Sequence, residues 1–421
     1  MTKLKLSFVF IYVFVAVQSC MAMYYDNRFI PLLWKPFITS QDNLSHLRVQ
    51  LFAVTARNAY DEHKDERPLP SIYDNFWNCY RDKSESKYMY NQTDLGNALT
   101  CLGCTNPLKS EWQGADIPWL IGGKFQGEGL SFSWQQAITD WFSFGVNSFV
   151  LNLDSWHEFA LEFDKLSLRV QPEDCLELDE MRRQMHCEIG LRGDHAHHAG
   201  FGDTDIYLRF GYRWDYMLKF RSITAAARVG AIWPTASDRD ECYAASISFG
   251  GNGHWGFFGA VESEFELRED WKAGLFFWLG KRLPKIEQRR IPVCREPQPY
   301  GAAVGKVRID PGTTVACSPY LAFENLRDGF GLRAQYSLVF HTCDCWDIVS
   351  CPVKHSWQGC KINQWGSDYF TVAAFYDFRK LIDDCNWYPI VTLSWDIPAA
   401  VLVAENSAKT QRINLGVEWN F

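Results

Sequence analysis

The feature that most narrows the fold is the order of the connections. Twelve segments alternate apolar and polar residues at period two, and the connections between them are short and long in strict turn. The segments are 46–57, 127–137, 140–153, 203–214, 218–232, 254–266, 270–281, 312–325, 328–341, 366–378, 386–396 and 409–421. Period two marks a strand whose faces meet two different environments. The last segment shows it most cleanly. Ile413, Leu415, Val417, Trp419 and Phe421 share one face, while Asn414, Gly416, Glu418 and Asn420 share the other. A soluble sandwich would give the same alternation, but it has no reason to place every long connection at one end. A barrel crossing a membrane does, with short turns on the inner side and long loops outside. Each segment is long enough to cross a bilayer at a tilt. Closure is required, because an open edge in hydrocarbon leaves backbone groups unsatisfied. The expected fold is all-β: a transmembrane antiparallel up-and-down β-barrel of about 12 strands, with 10 to 14 admitted, carrying a short helix in its long loops.

The N-terminus reads as an address. Lys3 and Lys5 precede an apolar run from Leu6 to Val17 broken only by Ser7, and Ser19, Cys20, Met21 and Ala22 follow. This is the pattern of a secretory signal over residues 1–22, too short to span a bilayer stably and cleaved after Ala22. Lipid attachment at Cys20 is the alternative, and Gln18 fits a lipoprotein box poorly. Residues 23–45 form a periplasmic segment or a plug, since Pro31, Trp34, Pro36 and Phe37 make them apolar enough to bury. Residues 46–421 form the barrel, with long loops at 58–126, 154–202 and 282–311. The expected location is the cell outer membrane, with its lipid as a partner. With 42 basic and 50 acidic residues, a net −8, an extended nucleic-acid footprint is not expected. Trp141, Trp214, Trp271 and Trp387 lie beside short turns, where amphipathic rings sit at a membrane–water boundary.

Strand parity then sorts the lumen. The inward basic groups are Arg48, Arg209, Arg213, Arg228, Lys272 and Arg333. The inward acidic groups are Asp205, Glu262, Glu264, Glu266, Glu324, Asp377, Asp396 and Glu418. Arg213 and Glu418 lie near strand ends and belong to the rim or to the wall. So even a mixture sets no preference for cations or anions. It points to a water-filled channel for passive passage of small solutes, without a cofactor.

Several of these features resemble a known class. A signal peptide, alternating strands and a terminal Glu418-Trp419-Asn420-Phe421 are similar to Gram-negative outer-membrane porins and transporters. The resemblance implies that Trp419 and Phe421 are an assembly signal read by the barrel-assembly machinery. The segment running from Gly200-Phe201-Gly202-Asp203 to Arg213 resembles transporter-type barrels in which a Gly-Asp opens a strand.

The cysteines are unusual for such a barrel. Cys79, Cys101, Cys104, Cys175, Cys187, Cys242, Cys294, Cys343, Cys345, Cys351 and Cys360 fall in external loops, Cys385 in a turn, and Cys317 opens a strand. In an exported protein this density reads as disulfides tying down loops. Cysteine-rich barrels of this size resemble the chlamydial major outer-membrane proteins, which implies disulfide-linked neighbours in the envelope. Zinc is the rival, since Cys101-x-x-Cys104 and Cys343-x-Cys345 have ligand spacing, but export favours oxidation and no metal is expected. His195, His197 and His198 read as part of a solvated glycine-rich loop. Residues 172–187 read as a helix, with Pro172 at its start and Arg182, Arg183 and His186 in its last turns. A helix would hold Cys175 and Cys187 about 18 Å apart, beyond disulfide reach.

Enzyme signals are thin. Gly251-Asn252-Gly253-His254-Trp255-Gly256 matches a dinucleotide fingerprint, but a strand rather than a helix follows it. Outer-membrane phospholipases carry a His-x-Ser arrangement that does not occur in this chain. No catalytic residue is expected. Two alternatives to a porin stay open: a disulfide-stabilised adhesin or structural envelope protein anchored by its barrel, and a plugged transporter for hydrophobic substrates.

Overall fold

The computed structural model describes residues 45–69, 100–103, 119–161, 172–216, 220–292, 298–353, 360–378 and 389–420. Twelve long strands follow one another in antiparallel order: β1 (His46–Ala56), β2 (Trp119–Ala137), β3 (Phe142–Leu161), β4 (Thr204–Asp215), β5 (Ser222–Trp233), β6 (Gly256–Arg268), β7 (Trp271–Arg282), β8 (Thr313–Arg327), β9 (Phe330–His341), β10 (Trp365–Asp377), β11 (Ile390–Ala399) and β12 (Gln411–Asn420). Each pairs with its neighbours in sequence. Closure comes from β1, which pairs with both β2 and β12, so that His46 stands opposite Asn420 and Thr55 opposite Gln411. No edge is left open, as a membrane requires.

Alternation explains why these residues make a barrel in lipid. Outward positions are apolar and exposed: Leu51 on β1, Leu208 and Phe210 on β4, Val261 on β6, Phe277 on β7, Leu321 on β8, Val372 on β10, Leu393 on β11 and Ile413 on β12. In water this surface would be a large unfavourable patch, whereas in hydrocarbon it costs nothing. Trp141, Trp214 and Trp271 are exposed beside the short turns, and Trp233 and Trp255 stack with centroids 5.9 Å apart at the opposite, outer end. These are two aromatic girdles. Trp387 lies outside the described residues.

The short turns are Ile138–Trp141, Glu269–Asp270 and Asp328–Gly329. Asp270 and Asp328 adopt positive φ, as two-residue hairpin turns demand. The outer side is elaborated. A four-stranded sheet (Lys285–Ile291, Ala303–Asp310, Asp344–Ser350, Cys360–Ile362) and a three-stranded one (Asn58–Tyr60, Glu66–Pro68, Ser407–Ala408) stand over the mouth, and His195–Phe201 pairs with β3. The expected helix forms as a 3-10 turn, Pro172–Asp174, leading into α1, Cys175–Glu188. Leu178, Met181 and Met185 are its buried apolar residues.

One set of expected bounds is corrected. β2 begins eight residues earlier than 127 and β3 ends eight later than 153, because the hairpin continues above the membrane. There Gln126, Glu128, Asn152 and Asp154 occupy outward positions in mutual register. A strand with water on its outer face loses the apolar alternation that marks a crossing. The segments 282–311 and 154–202, expected as loops, likewise contain strands of their own.

Candidate functional site in the lumen

The inward faces of the strands build a lumen in two zones. Through the middle and inner half, charged side chains from neighbouring strands neutralise one another along the wall. The Glu262 carboxylate on β6 accepts from the Arg209 guanidinium on β4 and, at 2.6 Å, from Arg228 on β5. On the next strands, Lys272 Nζ lies 2.7 Å from Glu324 and 3.5 Å from Glu264, whose Oε2 accepts from Tyr320 Oη at 2.6 Å. The Arg333 guanidinium lies over the Tyr320 ring at 3.8 Å. On the far wall Asp396 accepts from Arg412 at 2.6 Å and from Thr371 Oγ1 at 2.5 Å. Ion pairs this deep hold only because each carboxylate has several donors.

These pairs leave solvent little access. Glu262 and Arg412 are 1 % exposed and Asp396 is 0 % exposed, and Arg48, Gln50, Lys272, Arg333 and Glu418 are buried with them. Of the residues expected to face the lumen, Arg48, Arg209, Arg228, Glu262, Glu264, Lys272, Arg333 and Glu418 lie in this belt. Glu266 sits at the inner end, bonded to Ser222 and 3.8 Å from Arg213. Arg213 itself is 30 % exposed and pairs with Asp215 at the rim. Asp205 is buried near the outer mouth. Arg412 and Tyr320 were missed by the sequence reading. Arg412 shares the parity of Asn414 and Glu418, and that parity was signal enough to place it on the inward face.

The outer half holds an apolar cluster. Phe52, Val54 and Ala56 of β1, Phe125 of β2, and Phe149, Leu151 and Leu153 of β3 form one buried cluster. Into it reaches the loop 234–255, which leaves the barrel between β5 and β6 and places Ile247 and Phe249, each 1 % exposed, against these inward faces. Its backbone is anchored on the way, where Ser155 Oγ donates to Ala245 O at 2.5 Å. The loop 234–255 thus occupies part of the outer lumen. The expected plug lies outside the described residues.

Between that loop and the wall of β7 to β10 lies a cavity of about 150 Å³. Phe149, Ile232, Trp278, Trp346 and Trp365 supply its apolar lining. A polar edge is formed by His341, whose Nδ1 is 2.8 Å from Thr314 Oγ1 and whose Nε2 is 3.0 Å from Asp344 Oδ1. Gly312 N and Asn363 Nδ2 also donate to Asp344, at 2.7 and 2.8 Å. The Asp344 carboxylate thus has three donors within the fold. Below the cavity, Trp278 stacks on Phe258 and the apolar lining continues through Phe276 and Tyr207 toward the charged belt.

The external cap is knotted by one guanidinium. Arg290 donates to Ile189 O and Gly301 O at 3.0 Å and to Glu241 O at 2.7 Å, joining three separate loops. Beneath it, His186 of α1 lies against Tyr300 with ring centroids 5.0 Å apart. Cys101, Cys175, Cys187, Cys242, Cys317, Cys345 and Cys351 are free thiols, and the Cys343 thiol donates to Gln364. Cys175 and Cys187 stay apart at the two ends of α1, as the helix requires. Cys79, Cys104, Cys294 and Cys385 lie outside the described residues. His195 and His197 both bond to Asp154, at 3.1 and 3.0 Å. Among the described residues no cluster of three or more His, Cys, Asp or Glu side chains is arranged to hold a metal.

No protein-family model matches the sequence, and no curated protein does. The chain is similar in structure to an outer membrane channel from Pseudomonas putida F1, at 12 % identity and a TM-score of 0.48, covering 92 % of this chain and 100 % of that one. It is also similar to a Pseudomonas aeruginosa FadL homologue, at 8 % identity and a TM-score of 0.32, covering 90 % of each chain. A third likeness is to the Pseudomonas putida toluene transporter TodX, at 10 % identity and a TM-score of 0.31, covering 95 % of this chain and 94 % of that one. The chain forms a closed, twelve-stranded β-barrel of the outer-membrane type.

Proposed function

We propose that this barrel is a plugged, substrate-specific transporter of small, uncharged, hydrophobic molecules, not an open general porin. The observation that carries the reading is the closed lumen. A water-filled pore keeps its wall charges hydrated, whereas here Glu262, Asp396 and Arg412 are paired and shut from solvent, and Ile247 and Phe249 of the loop 234–255 pack into the outer half. Open space is found in the cavity at the mouth, beside Trp278, Trp346 and Trp365. A pocket of about 150 Å³ is the size that accepts a single benzene ring, and Phe149, Trp278, Trp346 and Trp365 give it an aromatic wall beside charged groups such as Asp203 and Arg282 that are paired with one another. Asp344, Glu262 and Asp396 already have donors within the fold, which favours an uncharged cargo. Hydrophobic cargo would leave the outer water for the cavity, then move along the Trp278–Phe258 wall.

Two measurements on the refolded barrel test this. In planar bilayers the protein should show no regular ohmic steps. Nitrobenzene, a single-ring quencher, should bind saturably and quench tryptophan fluorescence, and Trp278→Phe with Trp365→Phe should remove most of that signal. Reproducible ohmic steps without saturable nitrobenzene binding would return the protein to the passive porins.

A further inference from the structure

The Gly202-Asp203 step that opens β4 has a second role in the lumen. Asp203 is buried, and its carboxylate gathers three donors from three directions. Gly251 N donates at 2.8 Å and Ala236 N at 3.4 Å, while Arg282 Nη2 of β7 lies 2.6 Å away. Ala236 and Gly251 lie near the two ends of the inserted loop. One carboxylate therefore closes the neck of the loop and ties it to β7, three strands along the wall.

The surroundings fit this fastening. Thr235 Oγ1 donates to Gly202 O at 2.6 Å beside it, and Arg282 Nη1 donates to His254 O at 3.0 Å. A Cβ on Gly250 would land on the Asp203 carboxylate, and one on Gly202 would land on the Phe149 ring. Both glycines are needed for the close approach, since any side chain would push the loop off its latch. The neck also borders the aromatic cavity, which Asp203, Phe249, Gly250, Gly251 and Arg282 help to line.

We propose that the loop 234–255 is the gate between the outer cavity and the lumen, and that Asp203 is the positioning residue that holds it shut. The inference rests on the closed-lumen reading. Cargo in the cavity touches the neck directly, so its binding and the release of the loop are coupled at one carboxylate. Carboxylate bonds to backbone amides and a guanidinium are among the stronger hydrogen bonds in proteins. Removing them therefore shifts the balance of closed and open loop while leaving the strand pairing of the barrel in place.

The test is amide exchange of the full refolded barrel, read by mass spectrometry on peptides covering 240–251. Asp203→Ala should raise exchange there about tenfold, equivalent to about 1.4 kcal/mol of lost closure, while β1 to β3 amides and heat-modifiable gel mobility stay unchanged. Gly250→Ala, which displaces the same carboxylate by a different route, should do the same and stands in if Asp203→Ala fails to fold. Both variants should also bind nitrobenzene faster than the native chain. Unchanged loop exchange in a folded variant overturns the latch while leaving the closed lumen standing. Ohmic steps from the native chain overturn the closed lumen, and the gate with it.

Discussion

At the scale of single residues, the lumen shows what parity alone reveals and what it hides. Period two put Arg209, Glu262, Lys272 and Arg333 on the inward face, because a strand has only two faces and lipid rejects charge on one of them. It did not reveal that Glu262 would sit between two guanidiniums, since that depends on three strands in register, with Arg209 opposite Arg228 and Glu262 opposite Ala226. The consequence is energetic. Glu262→Gln should destabilise the barrel by about 3–5 kcal/mol, because it strands two buried cations rather than removing a pair. Urea unfolding in detergent, followed by the gel shift, would check it, and a change below about 1 kcal/mol would mean that water enters the belt. Asp203 was visible in the sequence as part of a Gly-Asp step, but its donors lie well along the chain at Gly251 and Arg282, beyond the reach of any local pattern.

At the scale of elements, all twelve strands were legible, and so was α1 from its terminal residues, with Pro172 at the start and His186 in the last turn. The tall outer ends of β2 and β3 were not, because the alternation records lipid contact rather than strand extent. The helix carries a prediction of its own. His186 is held well below the usual 6.5 by burial first and then by the charges of Arg182 and Arg290. Tyr300, Phe159 and His157 lie around it, and Arg182 Nη1, 3.3 Å from its Nδ1, is also bonded to Asp194 at 3.2 Å, with Asp179 on the same guanidinium. A histidine buried neutral stabilises the fold above its unfolded pKa, and that contribution is lost as pH falls below about 6.5. The α1 cap should therefore loosen in mild acid. Limited proteolysis at pH 5.5 and 7.5 should show faster cleavage in α1 at the lower pH, and His186→Phe should remove most of the difference. Equal cleavage at both pH values would place the titrating group elsewhere.

At the scale of the whole molecule, the barrel is closed by hydrogen bonds between its first and last strands. β12 is paired on both sides, to β1 and to β11, so truncation after residue 410 should abolish the heat-modifiable form altogether. Thiol reduction should not. The external cysteines remain candidates for oxidation, and Cys345 and Cys360 stand opposite each other in register in the outer sheet. A non-reducing peptide map should look there first. If reduction alone collapses the gel-shifted species, sulfur rather than β12 holds the barrel shut.

The neutralised belt has a consequence for the cell that carries it. A membrane studded with open pores leaks in proportion to their number, and its owner must ration them. A barrel whose interior is stitched shut by its own charges adds area to the envelope but no electrical conductance. On the closed-lumen reading proposed above, such a protein would be free to be abundant, because each added copy would leave the resistance of the membrane to small ions unchanged.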